Sequence, residues 1–325
     1  MKVGFIGAGA HASNMAYTMQ NMDKKIVELY AVAARDRERA EKFADTYGFA
    51  KAYGSYEEML EDEKVELVYI STPIAMHYDH IKMSIEKNKH VLCEKGFVLN
   101  QKQAKEVFEL AEKKNLLLSE AMWTRFMPSR SMIDKILEQG LIGDVTSLNA
   151  NLGYSLAHIE RLQKIELGGG TVLDLAIYTL NFACMVFKEE VESIHAVCTK
   201  TESGVDGQDS IALIFKNGKI AHLFSSFLVQ TDRYGMIYGN KGYIAVQNIN
   251  NCEKITVYNL DREVILEQEV PAQITGLEYE VTACEKALRE GRTECPEMPH
   301  EESLRMMGIM DEVRRQLGIR FPQEV

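Results

Sequence analysis

A short apolar run, Val3-Gly4-Phe5-Ile6, passes directly into Gly7-Ala8-Gly9-Ala10-His11-Ala12. Gly7 can take turn dihedrals that other residues avoid, and Gly9 lets a ligand come close to the backbone. Ala12 stands where such turns often carry a third glycine, and it is small enough for the next helix to pack against the strand. The helix N–H groups and the positive end of its dipole would then face an anion. A strand, a glycine turn and a helix start in this order point to a dinucleotide pyrophosphate. The plainer reading is a strand-to-helix turn with no ligand.

Further along, Ala33-Ala34-Arg35-Asp36-Arg37 ends a second strand, with Arg39 just beyond. An acidic residue at this place would bind a ribose 2′-hydroxyl, whereas Arg35 offers a forked guanidinium to a 2′-phosphate. NADP is therefore expected ahead of NAD. Asp36 can also serve as a helix N-cap, and both readings can hold together. Glu94-Lys95-Gly96 falls at the carboxyl end of another strand, where doubly wound sheets place their ligands. A lysine there can hydrogen-bond a nicotinamide ribose and lower the pKa of a neighbouring phenol.

Gly168-Gly169-Gly170 opens a largely apolar helix in which Asp174 and Tyr178 are four residues apart on one face. The glycines allow a ligand or a neighbouring loop to approach. The acid and phenol form either a proton-transfer site or a buried pair with a packing role. His77 and His80 read as helix-surface residues, and no carboxylate–histidine cluster completes a metal site. His158 could contact substrate or lie solvated in its loop.

The elements that must position these groups alternate regularly at first. Strands at 26–34, 65–71, 90–93 and 116–119 alternate with helices at 36–47, 76–87 and 101–114, implying a doubly wound parallel sheet. After Met122 come a helix at 129–139, a strand at 145–152 and a helix at 170–187, then short strands from Val191 to Glu269. Asn217-Gly218 reads as a hairpin turn. Helices at 276–290 and 300–317 close the chain. The expected fold is α/β: a Rossmann sheet over residues 1–122, then an α/β domain over 123–325 whose open sheet is mostly antiparallel.

The 325 residues, with 46% hydrophobic and 26% charged residues, suit two soluble domains. A net charge of -11 with no basic stripe disfavours nucleic acid and anionic membranes as partners. No apolar run approaches the roughly 18 residues of a membrane span, and the chain has no room for a signal peptide. Six cysteines are scattered without a CxxC; Cys93, Cys184 and Cys198 read as buried free thiols of a cytoplasmic protein.

Together, Gly7 to Ala12, Thr72-Pro73 with His77, Glu94-Lys95 and the Asp174 helix resemble the Gfo/Idh/MocA oxidoreductases along the whole chain. Glu120-Ala121-Met122-Trp123-Thr124-Arg125-Phe126 with Pro128, and Gly168 to Tyr178, are similar to its branch of dihydrodiol dehydrogenases and NADP-dependent D-xylose dehydrogenases. The resemblance implies Lys95 and Tyr178 as catalytic residues, with Asp174 binding substrate or positioning Tyr178. It implies a cofactor-binding set of Gly7, Gly9, Ala10, His11, Ala12, Arg35, Arg39, Ser71, Thr72, Pro73, His77, Glu94, Lys95, Trp123 and Arg125. Trp123, Arg125 and Tyr154 are also pocket candidates. The family usually has proline where Gly96 stands, which leaves this segment more mobile. The expected activity is hydride transfer between NADP(H) and a secondary alcohol of a sugar or cyclic diol, by a homo-oligomer assembled through the second sheet. An idle NADP-binding sensor and a reductase of inositol or anhydro-sugars are the alternatives.

Overall fold

The computed structural model describes residues 1–324, which form two compact units. The first comprises Met1–Phe126 and Gln273–Arg305; the second comprises Met127–Ala272 and the stretch from Met306 onward.

The first unit is built on six parallel strands: β1 (Lys2–Ile6), β2 (Glu28–Ala33), β3 (Lys51–Tyr53), β4 (Leu67–Ile70), β5 (His90–Glu94) and β6 (Leu118–Ala121). Their spatial order is β3-β2-β1-β4-β5-β6. Val3, Phe5, Val68, Tyr69, Val91 and Leu92 are fully buried, as expected where helices cover both faces of a parallel sheet. Those connections carry α1 (Ala10–Gln20), α2 (Arg37–Tyr47), α3 (Tyr56–Leu60), α4 (His77–Glu86) and α5 (Gln101–Lys113). The strand order reverses between β1 and β4, so the segments that follow these two strands flank the crevice where such sheets bind ligands. Sequence patterning did not anticipate β3 or α3. Three and five residues are too short to display a period.

The second unit contains α6 (Pro128–Glu138), β7 (Val145–Gly153) and α7 (Ile177–Val186), followed by seven strands. These are β8 (Val191–Lys200), β9 (Asp206–Phe215), β10 (Ile220–Ser226), β11 (Gly235–Gly239), β12 (Gly242–Gln247), β13 (Lys254–Asn259) and β14 (Val264–Glu269). The eight-stranded sheet runs β14-β13-β12-β11-β7-β10-β9-β8 and is antiparallel except at β7–β10. The expected helix from Gly170 instead starts as a π-helical turn, Val172–Ala176, before regular α7. Ile165–Val186 is long and apolar enough to cross a membrane by length and composition, contrary to the sequence reading. Almost all of it is packed inside the protein, as a core helix. No disulfide joins the six cysteines, and Cys198, expected to be buried, is half-exposed because β8 is the edge strand of its sheet and none of its residues is fully covered.

Two helices, α8 (Glu278–Arg289) and α9 (His300–Leu317), end the chain. Residues 273–305 were expected in the second domain but belong to the first unit, where they cover β6. Leu118 N–H donates to the Thr293 carbonyl at 3.1 Å, and His300 Nε2 lies 2.8 Å from the Leu118 carbonyl. Ser303 Oγ donates to the Glu120 carboxyl at 2.7 Å.

Candidate active site

The glycine turn has the conformation its residues suggested. Gly7 has φ +106°, and a Cβ there would lie 3.3 Å from Thr72 Cγ2 and 3.4 Å from Ser71 Oγ. Gly9 is the N-cap of α1 and has open space where a Cβ would project. No side chain caps α1 and no acidic residue occupies its first turn, so its leading N–H groups are available to an anion. Ser71 Oγ is buried beside this turn without a protein partner. A cradle that a Cβ would crowd, an uncapped helix start and an orphaned hydroxyl together fit a dinucleotide pyrophosphate. Ala12 is fully buried, consistent with close helix–strand packing.

Asp36 does cap α2, accepting from the Glu38 and Arg39 N–H groups at 3.0 and 3.4 Å. Arg39 donates through Nε and Nη2 to the Ala8 carbonyl at 3.1 and 2.8 Å. Its guanidinium thereby braces the glycine turn from α2. Arg35 is exposed at the end of β2, which leaves its charge open to a ligand.

Lys95 follows β5 and is half-buried. On one side of it, Glu94 Oε1 accepts from Tyr69 OH at 2.6 Å and lies 2.9 Å from His11 Nε2. Burial alone would raise the Glu94 carboxyl pKa, but His11, Tyr69 and the Lys95 charge bring it below the usual value. On the other side, His77 Nδ1 lies 3.2 and 3.1 Å from the Gly96 and Phe97 carbonyls, and Nε2 lies 2.7 Å from the Thr72 carbonyl. His77 is 1% exposed, so the helix-surface reading fails for it. Its face of α4 turns toward the sheet, where carbonyl groups at two strand ends need donors. Burial lowers its pKa, while those carbonyls and Glu94 oppose the change. His80 Nδ1 lies 2.9 Å from Thr72 Oγ1, and burial together with His77 pulls its pKa to about 4. No peptide bond among the described residues is cis, so the bond to Gly96 is trans.

In the second unit, Asp174 lies in the π-helical turn and Tyr178 in the first turn of α7; both are buried. Arg161 Nη2 donates to Asp174 Oδ1 at 3.1 Å. Asp206 Oδ2 accepts from the Val172 N–H at 2.7 Å, and the Asp206 carbonyl accepts from Thr171 Oγ1 at 3.0 Å. The glycine triplet makes these contacts possible. A Cβ on Gly169 would lie 2.7–2.8 Å from the Arg161, Leu162 and Lys164 carbonyls, and one on Gly170 would lie 2.2 Å from Asp206 Oδ1. A neighbouring loop and a carboxylate therefore use the space that the sequence left open to a ligand or a loop.

Among the remaining candidates, Arg125 pairs with Glu302 at 2.5 Å and Trp123 is half-buried on the same short 3-10 turn. Tyr154 OH accepts from Asn250 at 3.1 Å, with Arg233 stacked over its ring, and His158 is exposed. Sequence reasoning missed Tyr69, Arg161 and Asp206. Each acts through a partner far from it in the chain, and a lone Tyr, Arg or Asp carries no spacing signal. Among the described residues, no group of His, Cys, Asp or Glu is arranged to hold a metal ion.

Known proteins resemble this chain in sequence and fold. Family models match residues 1–122 as an oxidoreductase family with an NAD-binding Rossmann fold and residues 131–245 as a GFO/IDH/MocA C-terminal domain. The chain is 32% identical over 330 residues to the trans-1,2-dihydrobenzene-1,2-diol dehydrogenase of Macaca fascicularis, covering 100% of this chain and 99% of that one. It is 33% identical over 327 residues to the Xenopus laevis enzyme of the same name, covering 99% of each. The 3-ketoreductase KijD10 of Actinomadura kijaniata, solved with NADP and TDP-benzene, shares the fold at TM-score 0.87 and 22% identity, with 98% of each chain covered. The aldose-aldose oxidoreductase of Caulobacter crescentus does so at TM-score 0.86 and 19% identity, with 97% of each chain covered. This chain, with its cradle after β1 and its lysine after β5, belongs to the Gfo/Idh/MocA family of NAD(P)-binding oxidoreductases.

Proposed function

We propose that this enzyme transfers hydride between NADP(H) and the CH–OH carbon of a sugar or cyclic diol, with Lys95 and Tyr178 as catalytic residues. The observation that carries the substrate class is the end-to-end likeness to dehydrogenases named for a cyclic trans-diol. Arg35, exposed at the end of β2 with no acidic residue in its place, supports NADP over NAD.

The glycine turn, the N–H groups of α1 and the Ser71 hydroxyl would hold the pyrophosphate. When bound, the nicotinamide accepts or delivers the hydride. Tyr178 exchanges the proton of the reacting hydroxyl through its phenol oxygen. Lys95 contributes a positive charge and N–H donors at the end of β5. Asp174, its orientation fixed by Arg161, hydrogen-bonds substrate or orients Tyr178. Six cysteines without a disulfide among them support a cytoplasmic location, and exposed Val197 and Val264 on outer strands support assembly of copies through the second sheet.

The test follows absorbance of the reduced cofactor with a panel of aldoses, inositols, anhydro-sugars and cyclic trans-diols. Lys95→Met and Tyr178→Phe should each lower turnover at least about a hundredfold while NADPH binding stays measurable. Turnover near that of the unmodified enzyme in both variants would overturn the assignment.

A further inference from the structure

Asp206 and Asp209 are three residues apart on β9, a spacing that in a regular strand sends two side chains to opposite faces. The register against β8 slips here. Lys200 stands opposite Asp206 but Thr199 stands opposite Gln208, which leaves Gly207 as an extra residue. Such a bulge shifts the alternation by one step, so both carboxyl groups turn to the buried side, where each residue is 1% exposed. There they bond to each other. Two touching carboxyl groups away from water cannot both ionise, and a bond between them needs a proton.

The surrounding donors decide where that proton sits. Asp206 Oδ2 accepts from the Val172 N–H at 2.7 Å, which favours its charged form. Apart from Asp206, neither oxygen of Asp209 has a partner among the described residues. Ser225, opposite Asp209 on β10, has its hydroxyl 3.1 Å from Thr179 Oγ1. Of the titratable groups on the elements packed against β9, Cys198 faces the pair from β8, its thiol pKa raised by burial and by both acids. Lys200 donates to the Gly318 carbonyl at 3.2 Å, and Asp174 on the π turn is bonded by Arg161. His195 and His222 stand opposite Ala212, further along the strand. Asp209 is therefore the protonated partner and Asp206 the charged one. Burial lifts the Asp206 pKa to about 6, opposed by the Val172 N–H and by Asp209. Burial and the Asp206 charge push Asp209 well above the usual carboxylate range.

We propose that Asp206 and Asp209 are a positioning pair that shares one proton and holds the π turn bearing Asp174 and the helix start bearing Tyr178. This inference deepens the catalytic reading of Tyr178 and rests on it. Asp206 bonds the first N–H of the turn, and neutral Asp209 supplies a donor that fixes that carboxylate without adding a second charge. The pair also gives a use to a buried acid that no backbone N–H reaches.

Two variants separate this role from plain packing. Asp209→Asn keeps a neutral donor toward Asp206, whereas Asp209→Leu fills the space with none. Asp209→Asn should turn over within about threefold of the unmodified enzyme. Asp209→Leu should lose at least about tenfold in kcat, with NADPH affinity within about threefold. Amides of residues 171–178 should exchange with solvent at least about tenfold faster in Asp209→Leu, and unchanged exchange would overturn the hold. As pH falls through about 6, Asp206 takes up its own proton and kcat should fall. Removing the donor that favours the Asp206 charge raises that pKa. The acid limb should therefore move up by at least about half a pH unit in Asp209→Leu and stay in place in Asp209→Asn. A packing role would lower turnover in Asp209→Leu without moving the limb; that result, or equal losses in both variants, would overturn the pair. The proton itself is read by infrared spectroscopy of enzyme made with isotope-labelled aspartate. A carbonyl stretch from protonated aspartic acid should persist at about pH 8 and disappear in Asp209→Asn. Its absence from the unmodified enzyme, or its persistence in the variant, would overturn the proposal. Infrared and exchange need no turnover, so they decide the pair even if no substrate in the panel reacts. Faster exchange with unchanged turnover would leave the pair standing and count against Tyr178 as a catalytic residue.

Discussion

Glu120 is an acid held where an acid is costly. It lies at the end of β6, is 1% exposed, and has one oxygen with no protein partner. Burial lifts its pKa from 4.5 to about 7, with the Glu94 charge adding to the rise and the Ser303 hydroxyl and Arg125 opposing it. The folded chain therefore keeps a proton that the unfolded chain releases as pH climbs from 4.5 toward 7. Stability from this group is complete below about 4.5 and is lost as pH rises through 7, a penalty of about 3 kcal/mol at pH 8. Glu120→Gln cannot ionise, so its melting temperature should fall less than that of the unmodified enzyme between about pH 5.5 and pH 8. Parallel melting curves across that range would show that Glu120 keeps an ordinary pKa. The residue types were legible in the sequence, and their environments were not. Lys95 and Tyr178 stand out by motif, yet the burial of His77, the donors on Glu94 and the Arg161 partner of Asp174 depend on packing among elements distant in the chain.

At the scale of one element, the helix bearing Asp174 and Tyr178 shows why three glycines precede it. Gly170 has φ +108°, and its missing side chain leaves the space in which Asp206 reaches the Val172 N–H. That carboxylate caps the helix, and the first turn opens into π geometry, a form that recurs at functional positions. An alanine at 170 would meet both backbone strain and the Asp206 carboxylate. Gly204 also has a positive φ, +85°, but a Cβ there would meet nothing within 4 Å. Gly170→Ala should therefore lower the melting temperature by at least about 4 °C more than Gly204→Ala, a difference of about 2 kcal/mol. Equal losses would mean that strain alone accounts for Gly170. Spacing revealed the glycines, the acid and the phenol. It could not reveal the π turn, whose first N–H is bonded by a carboxylate from β9.

The whole chain divides differently from its linear order. Alternating strands and helices marked the Rossmann unit, because each such element carries its own local period. The return of residues 273–305 to that unit has no local mark. It rests on bonds such as Leu118 N–H to the Thr293 carbonyl, His300 to the Leu118 carbonyl and Ser303 to Glu120, each spanning more than a hundred residues of sequence. Residues 1–126 alone would leave the backbone and Glu120 at β6 without these partners, and the buried faces of Val281, Cys284 and Ala287 on α8 would be absent. A fragment of residues 1–126 should aggregate or melt without cooperativity. A chain in which a flexible linker replaces residues 127–272 and which ends at Arg305 should melt cooperatively and bind NADPH. Both are read by thermal melting with and without cofactor, since a ligand that binds only the folded unit raises its melting temperature. If the shorter fragment folds and binds as tightly as the linked one, the later segment covers the nucleotide-binding unit without completing it.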